Sequence, residues 1–191
     1  LLGAQQHGHM EAVGYDLYCK MLNEAVKHLK GEMEEEDYTT TIDLNIDAYI
    51  PDTYISNEYQ KLDIYKRIAA IESEEEMEDM VEELIDRFGD IPKKVEMLLT
   101  VAQLKALAHK VYVTAVEQKG DTYTFAMYER AKVCPEKIPA LLKEFRDDLA
   151  FKAEPPTFIY RKKRINKRDK TESALEVVKN VLIGIKGLLG N

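Results

Sequence analysis

The sequence predicts an α+β fold, in which a small mixed or antiparallel sheet packs with several helices and a helical appendage lies at the N-terminus. Two kinds of periodicity predict it. In some stretches apolar residues recur about every 3.6 positions, as in amphipathic helices, and in others they alternate with polar residues, as in half-buried strands. The two kinds do not follow the regular strand–helix–strand order of a parallel sheet, and no internal repeat occurs, which favours α+β over α/β.

The charges are distributed unevenly along the 191 residues. The net charge is −8, yet residues 1–100 hold 24 acidic and 9 basic residues, whereas residues 101–191 hold 11 and 18. This asymmetry argues against a uniformly basic nucleic-acid-binding protein. The length accommodates one domain, or one domain with an appendage, and a hydrophobic fraction of 45% argues against intrinsic disorder.

The first predicted element is an amphipathic helix over residues 10–30, which ends at Gly31. The acidic run over residues 32–37 is typical of a solvated linker, so we expect a domain boundary there and divide the chain into 1–38 and 39–191. Because the sequence begins without an initiator Met, we expect it to be a piece of a longer protein.

A half-buried strand is predicted over residues 39–50, where the period changes to two, and Pro51 stops it. Its apolar face consists of Ile42, Leu44, Ile46, Ala48 and Ile50. Three helices are predicted next, over residues 56–71, 73–88 and 92–110. Ser73 and Glu76 have the spacing of a capping box, Gly89 ends that helix, and Pro92 opens the next one.

The C-terminal half predicts a hairpin and two further helices. The hairpin strands at 111–118 and 122–129 are joined by Gly120 and Asp121. A short helix follows Pro135 over residues 137–148. One or two strands then cover residues 149–163, interrupted by Pro155 and Pro156, and a final helix covers residues 171–188 with Thr171 as its cap.

No motif of a catalytic or metal site is present. The sequence lacks a GxxxxGK[ST] phosphate loop and the GxGxxG, GxSxG and HExxH patterns. His7 and His9 form an HxH pair without a third ligand nearby, which is a weak metal signal. We therefore expect no catalytic residue, no metal and no cofactor in this chain.

Cysteine usage and hydropathy predict a cytoplasmic protein without a membrane partner. Cys19 and Cys134 are far apart, so a disulfide framework is not expected. No apolar run reaches 18 residues, and the N-terminus lacks the basic and apolar regions of a signal peptide.

Acidic residues crowd the predicted helix 73–88, where Arg87 is the one basic residue. The acidic residues are Glu74, Glu75, Glu76, Glu78, Asp79, Glu82, Glu83 and Asp86. The predicted buried side consists of Met77, Met80, Val81, Leu84, Ile85 and Phe88. The helix is either an ordinary solvated surface helix or a docking face for an arginine-bearing partner, which would relieve repulsion among the acids.

A basic segment covers residues 161–170. Its candidate phosphate-binding residues are Arg161, Lys162, Lys163, Arg164, Lys167 and Arg168. Aromatic residues for base stacking lie on one flank, at Phe158 and Tyr160. The segment is either a nucleic-acid contact or the solvated end of a strand that packs against the acidic half of the molecule.

Three sequence blocks resemble one protein family. They read LLGAQQHGHMEAVGYDLYCKMLNEAVKHLKGE, YIPDTYISNEYQKLDIYKRIA and EELIDRFGDIP, in this order, and together cover roughly residues 1–110. The LLGxxQxG part is shared with branch-migrating recombination helicases. The other two blocks are specific, and with them the chain resembles the C-terminal domain of the bacterial transcription-repair coupling factors, preceded by the tail of their translocation motif.

The resemblance implies a function for the longer protein. The family is an ATP-driven, Mg-dependent translocase on double-stranded DNA that displaces stalled RNA polymerase and recruits the damage-recognition ATPase of nucleotide excision repair. Gln6, Gly3 and Gly8 match the translocation motif, whose arginine-bearing half is absent from this sequence. ATP and Mg would accordingly belong to the motor of the longer protein.

The resemblance also implies a regulatory role for this chain. In the family, the C-terminal domain docks on an N-terminal repair-recruiting domain and masks its ATPase-binding surface, through acidic residues that meet arginines. By motif those acids are Glu83 and Asp86, and Glu82 and Asp79 belong to the same predicted helix. An accessory DNA-binding domain that uses residues 161–170 is the alternative.

Overall fold

The structure, a computed structural model, describes residues 14–23, 38–163 and 172–190. The chain forms two compact units, which we call the first and the second unit. The first comprises Leu1–Asp37 and Ile46–Ala106, and the second comprises Tyr38–Asn45 and Leu107–Asn191. The division into 1–38 and 39–191 stays a prediction of the sequence, because compactness alone does not define a homologous domain.

The first unit is built from helices. They are α1 (14–23), α2 (Glu58–Ala69), α3 (Glu74–Phe88) and the larger part of α4 (Lys93–Lys110). Their shared core contains the fully buried Tyr18, Leu22, Ile64, Ile68, Leu84 and Leu98. The hydroxyl of Tyr18 donates to the carbonyl oxygen of Leu98 at 2.6 Å, so that this buried polar atom is satisfied.

The ends of these helices follow local chemistry. Asn57 and Ser73 cap α2 and α3, and the Ser73 hydroxyl accepts the N–H of Glu76 at 3.1 Å. The carboxylate of Glu76 accepts from the N–H of Glu72 at 3.3 Å, one residue earlier than in an ideal capping box. Gly89 ends α3 with a φ of 90°, a conformation that side-chain-bearing residues rarely adopt.

The described residues of the second unit form a five-stranded mixed sheet, the end of α4 and two further helices. The strands are β1 (Thr41–Asp43), β2 (Val113–Lys119), β3 (Thr122–Met127), β4 (Leu149–Lys152) and β5 (Thr157–Arg161). Their order is β1-β2-β3-β5-β4, with β1 parallel to β2 and the other pairs antiparallel. The helices are α5 (Ile138–Glu144), which follows a 3-10 turn at Pro135–Lys137, and α6 (Ala174–Lys186).

The α+β fold with a small mixed sheet is confirmed, and so are the hairpin of β2 and β3 and the helices of the first unit. No helix among the described residues is long and apolar enough to cross a membrane. Of the helix predicted over residues 10–30, the part at 14–23 is described and is helical. The rest of that prediction lies outside the described residues.

Three predictions about the elements were wrong. Among the described residues, the strand predicted over 39–50 pairs only at Thr41–Asp43, although burial alternates as far as Ile50. The chain passes from the second unit into the first at Ile46, so the predicted stretch is divided between the two units. The cap of α6 is Ser173, whose hydroxyl accepts the N–H of Glu176 at 3.2 Å, and Thr171 lies outside the described residues. Ile85, expected in the core, is 49% exposed.

Candidate docking surface

Helix α3 presents one face of carboxylates to solvent. Asp79, Glu82, Glu83 and Asp86 stand at positions i, i+3, i+4 and i+7, so a 3.6-residue turn places them on one side. The opposite side carries Met77, Met80 and Leu84, which are buried. We call the four carboxylates the acidic face. The fold therefore brings together the four residues that were predicted as docking residues.

Glu83 is held by two arginines of the same chain. Arg67 of α2 donates through both terminal nitrogens, with Nη2 2.6 Å from Oε1 and Nη1 bonded to Oε2. Arg87, one turn later on α3, donates to Oε2 at 2.8 Å. These hydrogen bonds lower the pKa of Glu83 to about 2, and the bonds from Arg67 have a larger effect than the bond from Arg87. Glu83 is thus charged and oriented at neutral pH.

The other members of the acidic face are open to solvent. Asp79, Glu82 and Asp86 are exposed, and in the described part of the chain none of them has an ion-pair partner. Within the described residues, their charges are therefore uncompensated. Ile85 lies beside them on the flank of the helix and is 49% exposed, so apolar surface borders the acidic face.

The end of α3 is anchored to a loop. The hydroxyl of Tyr54 lies 3.0 Å from the carbonyl oxygen of Gly89 and 3.2 Å from that of Leu84. The carbonyl of Gly89, just past the last helical residue, has no partner within the helix, so the contact from Tyr54 stabilises this end of α3. Together with Arg67, this contact fixes the orientation of the acidic face on the first unit.

The basic segment is described for three of its six predicted residues. Arg161 ends β5, with its Nε 3.7 Å from Oδ2 of Asp121, and the backbone N–H of Lys163 donates to the Asp148 carboxylate at 3.0 Å. Lys162 is half-buried. Arg164, Lys167 and Arg168 lie outside the described residues, so the phosphate-binding hypothesis for the segment stays a prediction.

The translocation-motif residues Gly3, Gln6 and Gly8 and the HxH pair lie outside the described residues. Within the described ranges, no group of three or more His, Cys, Asp and Glu side chains is placed to hold a metal ion. Cys19 and Cys134, both described, form no disulfide.

Two charged residues have roles that the sequence did not predict. Arg67 pairs with Glu83 from another helix, and no sequence spacing predicts this contact. Lys105 of α4 is 4% exposed, and its Nζ has no hydrogen-bond partner in the described residues. Burial, opposed by the charge of Glu72, lowers the pKa of Lys105 to about 8. Its spacing from Val101 and Ala108, both buried, was an available signal.

Known proteins share both the sequence and the fold. Residues 44–138 match the TRCF domain family. Over 98% of this chain, the sequence is 39% identical to the transcription-repair-coupling factor of Bacillus subtilis (strain 168). Over 69% of the chain, it is 44% identical to that of Staphylococcus haemolyticus (strain JCSC1435). The crystal structure of a C-terminal domain of transcription-repair coupling factor matches with a TM-score of 0.63 and 29% identity, over 79% of this chain and 92% of that one.

By fold and sequence, this is a chain of the TRCF-domain class, an α+β module with an acidic helix on its surface. It belongs to the transcription-repair coupling factor family and carries the C-terminal domain of that family. The chain spans 16% of the length of the Bacillus relative and 11% of the Staphylococcus relative.

Proposed function

We propose that this chain is the non-catalytic regulatory domain of an ATP-dependent DNA translocase, which displaces stalled RNA polymerase and recruits nucleotide excision repair in the bacterial cytoplasm. In this proposal the acidic face of α3 docks on arginines of the N-terminal repair-recruiting domain of the longer protein. Docking masks the surface that binds the damage-recognition ATPase. ATP and Mg belong to the motor of the longer protein, and this chain itself takes no cofactor.

The observation that supports the proposal is the contrast within the acidic face. Glu83 is already bonded to Arg67 and Arg87, which use three of about four acceptor positions of its carboxylate. Asp86, one turn away, is exposed and has no ion-pair partner in the described residues. An incoming arginine therefore finds an open acceptor in Asp86 and an oriented carboxylate in Glu83, where it shares or displaces the intramolecular bonds.

The expected strength suits a reversible contact. An exposed ion pair contributes about 0.2–1 kcal/mol, and a charge-assisted hydrogen bond at a partly desolvated site about 1.5–3 kcal/mol. Two such bonds are sufficient to keep the two domains docked, because tethering raises the effective concentration of one for the other. They are weak enough to break when the motor engages the polymerase.

The experiment that tests this proposal is charge reversal at Asp86. Asp86→Lys leaves the Arg67–Glu83 pair intact, whereas Glu83→Lys places a cation beside two arginines and perturbs the first unit as well. In the full-length protein, Asp86→Lys is expected to raise affinity for the repair ATPase. Binding of this chain to the separate N-terminal domain should weaken with the same substitution and with rising salt.

Glu129→Lys is the matched control, since it makes the same charge change at an exposed position outside α3. It is expected to leave both affinities near their original values. If Asp86→Lys and Glu129→Lys behave alike, or if ATPase binding is unchanged by Asp86→Lys, the docking proposal fails.

An accessory DNA-binding domain is the second candidate. It is supported by Lys163, which lines one open groove together with Lys143 and Arg146. This candidate predicts that the chain binds duplex DNA with a steep dependence on salt. A mobility-shift titration that stays flat at low salt would exclude it.

A further inference from the structure

We propose that the groove between β4 and α5 binds an extended acidic peptide, which adds to β4 as a further strand of the sheet. This inference concerns the second unit and does not rest on the proposed docking of α3. Three features of the groove carry it: an open strand edge, an apolar floor and a basic rim.

The first feature is the open edge of β4. This strand pairs with β5 and lies last in the sheet order. The N–H of Arg161 donates to the carbonyl of Asp148 at 2.8 Å, so these two residues face each other as a hydrogen-bonded pair. Because such pairs alternate in an antiparallel ladder, Leu149 and Phe151 direct their backbone N–H and C=O groups away from β5.

These outward groups are a template for strand addition. In the described residues no hydrogen bond reaches the backbone of Leu149 or Phe151 from outside the sheet. Two N–H and two C=O groups are thus available to an added strand, which gives it up to four backbone hydrogen bonds. A segment of about four residues is sufficient to use them.

The second feature is the groove that runs along this edge. It has a volume of about 740 Å³, and its walls come from α5, the following turn and β4. The half-buried Leu142 and Phe151 supply apolar surface to its floor, and Leu149, which also lines it, is buried. Successive side chains of a strand point to opposite sides, so a bound peptide presents every second side chain to this floor.

The third feature is the charge of the rim. Lys143, Arg146 and Lys163 line the groove, and Asp147 is the one acidic residue among its lining residues. All three cations are exposed. Charge complementarity therefore favours a peptide with carboxylates at its outward positions and small apolar residues between them.

The same three features favour a peptide over nucleic acid. Phosphates would use the basic rim, but they would leave the apolar floor and the strand edge without partners. An extended acidic peptide uses all three. The occupant is accordingly an acidic β-strand segment of a protein partner.

The test uses the full 191-residue chain and a defined probe, the blocked heptapeptide acetyl-Glu-Val-Glu-Val-Glu-Val-Glu-amide with a fluorescent label. We expect saturable binding by anisotropy, together with slower hydrogen exchange at the amides of Leu149 and Phe151. The amides of Ala150 and Lys152 already bond to β5 and should keep their rates. A peptide N-methylated at alternate backbone nitrogens should lose most of this binding, since it cannot complete the ladder.

Protein variants test the rim. The double variant Lys143→Gln, Lys163→Gln should weaken peptide binding about five- to tenfold. Lys179→Gln, Lys186→Gln is the matched control, because both lysines are exposed on α6 and neither lines the groove. Equal loss in the two double variants would overturn the proposal. So would exchange protection without the alternation, or duplex DNA that displaces the peptide and protects the same amides more strongly.

Discussion

The guanidinium of Arg67 on α2 donates hydrogen bonds to the carboxylate of Glu83 on α3 through both terminal nitrogens. The two residues are 16 positions apart and belong to different helices, so their contact fixes one helix relative to the other. Both side chains keep about a third of their surface exposed. One carboxylate of the acidic face is thus part of the structure of the first unit, while its neighbours remain open to solvent.

Arg67 and Glu83 are expected to be coupled in their effect on stability. Arg67→Ala and Glu83→Gln should each lower the free energy of unfolding by about 1 kcal/mol, a value reduced by solvent exposure of the pair. The double variant should lose less than the two singles together, as for any interacting pair. Urea denaturation measures this. Lys66→Ala, an exposed cation on the same helix, is the control and should show no coupling to Glu83→Gln.

The pair also predicts a pH dependence. The pKa of Glu83 is about 2 in the folded chain and about 4.3 when unfolded, so the unfolded state binds more protons between these values. Its contribution is fully present above about pH 5 and is lost as the pH falls toward 2. The difference in unfolding free energy between the original chain and Glu83→Gln should therefore shrink over that range. A difference that is constant with pH would contradict the assignment.

Lys105 is expected to destabilise the folded chain at neutral pH. Its pKa falls from 10.5 to about 8 on folding because burial disfavours the ammonium ion. The unfolded state then binds more protons between pH 8 and 10.5, so stability rises with pH across that window. Lys105→Met should raise the free energy of unfolding at pH 7 by on the order of 2 kcal/mol and remove this rise. Thermal melts of both proteins from pH 7 to 10.5 measure the effect, and parallel curves would contradict it.

The start of α3 is expected to depend on the hydroxyl of Ser73. Ser73→Ala removes the acceptor for the N–H of Glu76 and should lower the free energy of unfolding by about 1 kcal/mol. Ser73→Asp keeps an acceptor at the cap and should retain most of the stability. If the two variants lose equal stability, the side-chain bond does not contribute as described.

Sequence patterns predicted the elements whose ends are set by local chemistry. Ser73 and Gly89 delimit α3 correctly, and Gly120, with a φ of 61°, forms the turn between β2 and β3. Such residues act through backbone groups a few positions away, so the nearby sequence contains the necessary information.

The strand predicted over 39–50 shows where local information ends. Its alternation of burial is real, but only Thr41–Asp43 has a neighbouring strand. Alternation reports which side chains are buried, and it does not report whether a partner strand is present. Ile85 was misplaced for a related reason, because helical periodicity does not say how wide the covered stripe of α3 is.

The sequence by itself determined the helices, the hairpin, the α+β class, the family and the concentration of acids on one helix. These follow from periodicity, capping residues, motif spacing and charge along the chain. Only the tertiary structure decided which acidic side chains form ion pairs within the chain and which remain exposed to solvent. Glu83 acquires Arg67 because α2 packs beside α3, and Asp86 stays exposed because no element of the described chain covers it. A charge is compensated by the opposite charges that lie near it in space. The distance between two charged groups depends on how the helices pack, which local sequence patterns do not specify.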